Sequence, residues 1–441
     1  MTPSARAAAA IELLAALEDQ CFAPTARRRP ADAVASDFFR ARRFIGGGDR
    51  RAVSERAWGV VRQRLRLDWH LARIGMPPTP RLLLLAQMLL AEGLSKQAAE
   101  AVFDGSRYGP AALDAAERRA AAALAGRPLA DPAMPEAARL NLPDWALPAF
   151  AARFGEALPR EAAALEAEAP LDLRANLLRT TRSAAAAALA ADGIETTLTP
   201  YSPWGLRLPA RRPVTGTAAY KGGLVEVQDE GSQLIALLAD ARPGMRVADY
   251  CAGAAGKTLA MAATMGNRGK ITACDTSAAR LEGAALRLRR AGVDNAERHL
   301  LAAGDRWAKR RAGSFDRVLV DAPCTGTGTW RRNPDARLRT RPEDVNELVA
   351  IQHEILGRAA ELVRPGGRLI YATCSLLPQE NEEQMDRFLA RGAGFVPVPL
   401  ERLWTALVPG VPPPCAGPWL ALSPGAQGTD GFFCAVLEKP A

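Results

Sequence analysis

The chain has 441 residues, 48% of them hydrophobic and 24% charged, with a formal net charge of +9. That is ordinary for two or three domains with cores of their own, and the positive balance admits a polyanionic partner without requiring one. Seven cysteines, an odd number with no Cys-x-x-Cys pair, argue against a disulfide framework and a zinc site, so no metal is expected and the free thiols fit the cytoplasm.

The N-terminus runs from Met1 into an alanine-rich helix carrying Glu12 and Glu18, which is no secretory leader. Residues 82–90 are apolar but too few to cross a bilayer, so no membrane partner is expected. Residues 1–135 read as all helix. Ile11, Leu13, Leu14 and Leu17 form one stripe, and Val53, Ala57, Val60 and Val61 form another that Leu65, Trp69 and Leu71 continue. Gly- and Pro-rich breaks at 46–48, 77–80 and 105–109 predict a bundle of short helices. This region holds four basic clusters: Arg27 to Arg29; Arg40, Arg42 and Arg43; Arg50 and Arg51; and Arg62, Arg64 and Arg66. Singly, each reads as a solvated helix face. Together they point to a surface facing nucleic acid.

Residues 136–221 mix patterns: helix at 145–154, strand at 171–178, helix at 183–192, and short segments around Thr196 and Leu206. They predict a small α/β domain. From residue 222 to 441 strands and helices alternate. Strands at 245–248, 270–273, 299–303 and 317–320 run into Asp249, Asp275, Asp305 and Asp321. A long helix at 343–363 stops at Pro365-Gly366-Gly367, and strands at 368–372, 395–398 and 432–437 follow. Such alternation predicts an α/β, Rossmann-like, mostly parallel sheet with its ligand outside the carboxyl ends of the strands.

The segment Asp249 to Thr258, "DYCAGAAGKT", ends like a triphosphate-binding loop, but Cys251 stands where that loop needs its first glycine. A dinucleotide-type turn fits better. Gly253 and Gly256 fall between strand and helix, and Asp275 follows 22 residues later, where a carboxylate accepts ribose hydroxyls. Asp305 and Asp321 on the following tips suit an adenosyl ligand with a cationic end. Two cysteines also sit at adjacent strand ends, in "DAPCTGTG" (Cys324) and "YATCSLLPQEN" (Cys374). Cys21, Cys274, Cys415 and Cys434 read as small core residues. An amino-group methyltransferase would place an aromatic residue where Cys324 stands.

Residues 222–441 resemble the Sun/Fmu-type RNA cytosine-C5 methyltransferases. The stretches carrying the likeness are "VQDEGSQL", "ADYCAGAAGKT", "ACDTSAARL", "FDRVLVDAPCTGTGTWRRNPDARLR", "LVRPGGRLIYATCSLLPQENE" and "GTDGFF". Residues 49–64, "DRRAVSERAWGVVRQR", resemble the NusB-like RNA-binding domain of the bacterial ribosomal RNA methyltransferase B group. The resemblance implies S-adenosylmethionine held by Cys251, Ala252, Gly253, Ala254, Ala255, Gly256, Lys257, Asp275, Arg280, Asp305 and Asp321. It implies Cys374 as the nucleophile that adds to cytosine C6, with Cys324 assisting proton removal or product release. Asp321 would bind the cytosine N3/N4 edge, and Lys257 would position the base or lower a cysteine pKa. The competing assignment makes Cys324 the nucleophile, as in the DNA enzymes. The RNA partner implied is small-subunit ribosomal RNA, and a monomer suffices. One departure is Ala254-Ala255, where the family often has Pro-Gly. The basic segment 329–339, with Trp330, is expected to contact RNA backbone and stack a base. The competing reading of the whole chain is an RNA-binding assembly factor with a degenerate methyltransferase fold.

Overall fold

Residues 82–90 are apolar on every side but for Gln87, and a helix of that kind has to lie inside a core. In the computed structural model the helix Pro80–Leu90 has all of residues 82–90 buried, capped by Thr79, whose hydroxyl accepts from Leu82 N at 3.3 Å. The model describes residues 1–23, 28–209, 212–302, 304–392 and 394–441. Arg27 of the first basic cluster and Ala303 of the expected strand 299–303 lie outside them. Around the Pro80–Leu90 helix pack the helices Pro3–Leu17 and Gly47–Arg73, which contribute Leu13, Leu17, Val53, Ala57, Val60 and Val61 to one core, and the helix Ala31–Ala41 packs on Pro3–Leu17 and adds Val34 and Phe38. The helix Ala115–Leu124 joins them, opened by a capping box of Asp114 and Glu117.

This helical unit comprises Met1–Glu166 and Arg332–Arg341, so it extends beyond the boundary expected at residue 135. Two expectations fail within it. Arg62, Arg64 and Arg66 are not a nucleic-acid face: Arg62 donates to the Glu166 carbonyl at 2.9 Å, Arg64 pairs with Glu18 and with Asp68 at 2.7 Å, and Arg66 pairs with Glu166 at 2.6 Å. They brace the bundle. The segment after Trp330 is not a free basic linker either. Asp335 accepts from the Ala31 amide at 3.1 Å, and Arg337, 3% exposed, donates to the Leu165 carbonyl at 3.3 Å.

The second unit comprises Ala167–Arg331 and Pro342–Ala441. Its first part has strands β1 (Leu171–Ala175), β2 (Thr197–Leu198), β3 (Gly205–Leu208) and β4 (Val225–Val227), with helices Arg182–Ala191 and Ala218–Lys221. The order β2-β3-β1-β4, antiparallel throughout, is the βαββαβ split of a ferredoxin-like domain. Its fourth strand lies past residue 221, where the sequence reading placed the end of the small domain. Three residues are too short a run to register as a strand beside the apolar helix Glu230–Leu238.

The larger sheet has β5 (Arg246–Asp249), β6 (Lys270–Asp275), β7 (Ala296–Leu300), β8 (Phe315–Asp321), β9 (Val363–Thr373), β10 (Val396–Pro397), β11 (Leu420–Leu422) and β12 (Phe432–Glu438). The order is β10-β12-β9-β8-β5-β6-β7, with β11 paired to β12. The strands from β7 to β9 are parallel, and β12 is antiparallel to β9. This is the expected Rossmann-like sheet. After β5 the chain winds toward β7, and after β8 it winds toward β12. The carboxyl ends of β5 and β8 therefore flank the topological switch point, the place where such sheets bind ligands. Among the described residues no helix is long and apolar enough to cross a membrane, and no cluster of His, Cys, Asp and Glu could hold a metal.

Trp330 and Arg331 close this unit and are 0% and 5% exposed, so they neither stack a base nor meet a backbone phosphate. Arg331 donates to Asp430 at 2.6 Å and lies 3.7 Å from Asp229. A buried pair with one partner removed leaves an uncompensated charge, at a cost of about 3–5 kcal/mol. Arg331→Ala is therefore expected to lower unfolding stability by that order in a denaturant titration; an unchanged midpoint would mean that the pair contributes nothing.

Candidate active site

The turn after β5 is built around two left-handed residues. Gly253 (φ 54°) donates its N–H to Asp275 Oδ2 at 2.9 Å, and a Cβ there would meet nothing within 4 Å. Ala255 (φ 63°) opens the helix Gly256–Met265. A non-glycine residue in this region costs roughly 1–2 kcal/mol. The Cβ of Ala255 is fully buried against Leu259, Ala284, Leu288 and Ala291, and one buried methyl contributes about 0.8 kcal/mol. The two effects nearly offset, which is why the alanine is tolerated here.

A cavity of about 1170 Å³ opens over these strand ends. Its wall includes Cys251, Ala252, Gly253, Ala254, Gly256, Lys257, Asp275, Arg280, Asp305 and Asp321. Ten of the eleven residues expected around the cofactor are thus brought together; the eleventh, Ala255, faces inward. Asp305 needs a correction, because β7 ends at Leu300 and this residue sits in the following loop rather than on a strand tip. Its Oδ2 lies 2.5 Å from His299 Nε2 and its Oδ1 accepts from Trp307 N at 2.8 Å, and these bonds hold its pKa below the usual carboxylate value. His299 in turn stacks on Trp307, with ring centroids 5.0 Å apart.

Sequence reading missed several residues of this wall. Gln228, Asp229 and Ser232 lie in "VQDEGSQL", a stretch given no role, yet they line the cavity. Gln228 accepts from the fully buried Arg174 of β1 at 2.7 Å. Arg287 donates to the Ala254 carbonyl at 2.7 Å and pairs at 3.2 Å with Glu226 of β4. The ferredoxin-like sheet therefore grips the cofactor loop through Glu226 and Arg287. No local pattern could have revealed a bond spanning 61 positions.

Asp249 is the other omission. It is 1% exposed, accepts from Thr258 Oγ1 at 2.6 Å, and has no hydrogen-bond partner on its second oxygen. Burial pushes its pKa up to about 6; the bond from Thr258 and the charge of Lys257 oppose this, and Asp321 adds to it. Lys257 Nζ donates to Asp321 Oδ2 at 2.5 Å. Burial pulls the Lys257 pKa down, but Asp321 and the nearby Asp249 and Cys374 more than offset that and leave it raised.

The two cysteines meet. Cys324 Sγ and Cys374 Sγ are 3.4 Å apart, on the loops that leave β8 and β9. The bond with Cys374 and burial push the Cys324 thiol well above its ordinary value, so it keeps its proton.

A triphosphate does not suit this wall, where Asp249, Asp275, Asp305 and Asp321 would repel it and the lysine is already paired. The same carboxylates, one with an unpartnered buried oxygen, suit a ligand carrying an ammonium and a sulfonium. An adenosyl group fits the open glycine turn beside Asp275. Sheet order, loop and wall together define a class I S-adenosylmethionine-dependent methyltransferase.

Comparison with known proteins narrows this. A family model described as 16S rRNA methyltransferase RsmB/F matches residues 236–438, and one for the RsmF/B-like ferredoxin-like domain matches residues 142–215. The probable ribosomal RNA small subunit methyltransferase B of Synechocystis sp. is 35% identical over 304 residues, 68% of this chain and 67% of that protein. The Bacillus subtilis protein of the same name is 31% identical over 70% of this chain and 69% of its own length. Each match thus spans about two thirds of the relative. The solved structure of PH0851 covers 100% of this chain and 99% of its own at TM-score 0.76 and 24% identity, a likeness of fold. A methyltransferase homolog protein from Pyrococcus horikoshii is 28% identical at TM-score 0.58, over 69% of this chain and 97% of its own. The chain belongs to the RsmB/F family of 16S rRNA methyltransferases.

Asp249 gives this site a pH signature. Because its folded pKa lies above the unfolded value of 3.8, stability is lost as pH rises from about 4 to about 6. A shift of this size corresponds to about 3 kcal/mol at pH 7. Asp249→Asn keeps an acceptor for Thr258. It is expected to stabilise the ligand-free protein at pH 7 by up to that amount, to flatten the pH dependence, and to weaken S-adenosylmethionine binding by removing a negative charge. Denaturant titrations across pH 4–8 and calorimetric binding measure both effects.

Proposed function

We propose that the protein transfers the methyl group of S-adenosylmethionine to C5 of a cytosine in small-subunit ribosomal RNA, through a covalent bond between Cys374 and cytosine C6. The observation that carries this reading is the pair of thiols 3.4 Å apart on adjacent strand ends, with the Lys257–Asp321 pair on the neighbouring cavity wall. Cytosine C5 is a poor nucleophile, and addition of a thiolate at C6 makes it enamine-like. A base reaches such a site only when it is unstacked.

S-adenosylmethionine, held by the wall from Cys251 to Lys257 with Asp275, Arg280, Asp305 and Asp321, supplies an electrophilic methyl group. The remaining work falls to side chains. Cys374 Sγ forms the bond to C6 and is eliminated at the end. Asp321, kept in place by Lys257, holds the N3/N4 edge of the ring and favours cytosine over uracil. Cys324 stands 3.4 Å from Cys374 Sγ. It then takes part in removing the C5 proton or in releasing the product. We assign the helical unit to NusB-like RNA binding, on the resemblance of residues 49–64, and place the reaction in the cytoplasm on a single chain.

Incubation with S-adenosylmethionine and a 16S ribosomal RNA transcript tests the assignment. Cys324→Ala is expected to accumulate a denaturation-stable protein–RNA adduct with turnover down by at least a hundredfold. Cys374→Ala is expected to form none. Adduct with Cys374→Ala but not Cys324→Ala would reverse the roles. RNA binding without methyl transfer to any RNA by the intact protein would favour the assembly-factor reading.

A further inference from the structure

The helical unit sorts its basic clusters by how their charge is used. Arg62, Arg64 and Arg66 are consumed internally. At the turn between the helices Ala31–Ala41 and Gly47–Arg73 the charge is not consumed. Phe44 stands there 77% exposed, the most exposed of the large hydrophobic side chains among the described residues. A lone exposed apolar residue needs no explanation, but this one is ringed by cations. Arg43 precedes it. Arg50 folds back to donate to the Ile45 carbonyl at 2.8 Å, with its guanidinium 5.9 Å from the Phe39 ring. Arg51 is exposed beside Arg50.

Three acids of this end are already neutralised, and Glu55 alone near Arg51 has no ion-pair partner among the described residues. Asp37 is held by Arg29 and Arg40, Glu12 by Arg42, and Asp49 by Arg6 and the chain's amino terminus. Among the described residues Arg43 and Arg51 have no ion-pair partner, and Arg51 is not paired even with Glu55 four residues on. The turn is also uncovered, because a Cβ built on Gly46, Gly47 or Gly48 would meet nothing within 4 Å.

We infer that Phe44, Arg43, Arg50 and Arg51 form a docking surface for a single-stranded or bulged part of the substrate RNA, with one unpaired base stacked on Phe44 and phosphates on the arginines. An exposed ring bordered by unpaired guanidinium groups is the combination that binds unstacked bases without reading their sequence. This inference rests on the proposed RNA substrate, but it concerns side chains that take no part in the chemistry.

The test measures direct binding of the full-length protein to a 16S ribosomal RNA transcript across a salt series, beside methyl transfer. Phe44→Ala is expected to weaken binding about tenfold, the loss of one stacked base, while Phe44→Trp retains wild-type affinity. The double variant Arg43→Ala/Arg51→Ala is expected to reduce the slope of log affinity against log salt by about 1.5, two phosphate contacts. Because all these side chains are exposed, thermal midpoints should match wild type, and kcat at saturating RNA should be unchanged while KM rises. Unchanged affinity and salt slope in both variants would overturn the inference. So would variants that bind naked RNA normally and lose only binding to protein-bearing small-subunit particles, because the surface would then meet protein. Failure of methyl transfer by the wild type would count against the enzyme reading alone, since binding is read independently of it.

Discussion

A buried carboxylate organises the reactive centre. Glu380 is fully enclosed, and it accepts from the Thr325 amide at 2.9 Å, from Thr325 Oγ1 at 2.5 Å and from Gln352 Nε2 at 2.9 Å. An enclosed charge is tolerated only when its lone pairs are satisfied. Here the donors come from the loop after β8 and from the long helix Pro342–Leu362, while Glu380 itself follows β9. Satisfying this one group therefore pins the two cysteine-bearing loops to each other. The backbone carbonyl of Glu380 accepts from Tyr371 OH at 2.7 Å, and Ser375 bridges to Thr325 and Thr327 at 3.3 and 3.2 Å. The 3.4 Å thiol contact depends on this lattice more than on any attraction between the sulfurs, since a thiol is a weak donor and a weak acceptor.

The same economy of charge governs the cavity wall. Asp249 and Asp321 share one ammonium, Lys257, and the geometry gives that ammonium to Asp321. Asp321 is thereby oriented, while Asp249 is left with a hydroxyl partner, and burial pushes its pKa up to about 6.

The alternation of strands, the acids that end β5, β6 and β8, and the glycine turn were legible in the sequence because they follow from local rules: period, capping and backbone conformation. Cys324 and Cys374 were legible as a pair because each follows a recognisable strand and the two strands are neighbours in a doubly wound sheet. The failures have one cause. Arg62, Arg64 and Arg66 read as a solvated face, and Trp330 with Arg331 read as an RNA contact, because their partners lie far along the chain. Glu166 is 100 positions from Arg66, and Asp430 is 99 from Arg331. Counting charges locally cannot tell a cation that is spent inside from one that is offered outside. Asp305 failed differently, because the strand before it ends five residues early and the loop finds its own partners in His299 and Trp307.

That distinction also explains the path of the chain after the reactive loop. It passes from one unit to the other three times, after Glu166, Arg331 and Arg341. The last two crossings fall between the two reactive cysteines in the chain. Arg331 ends the stretch that begins at Cys324, and Pro342 begins the helix carrying Gln352, the donor to Glu380. Any displacement of the ten residues between them is delivered along the covalent chain to those two points. A buried ion pair stands at the first and a buried carboxylate network at the second, and both resist displacement because breaking either strands a charge away from water. The two anchors hold the ends of the stretches that carry the thiol loops, so the 3.4 Å thiol contact rests on groups that are costly to separate.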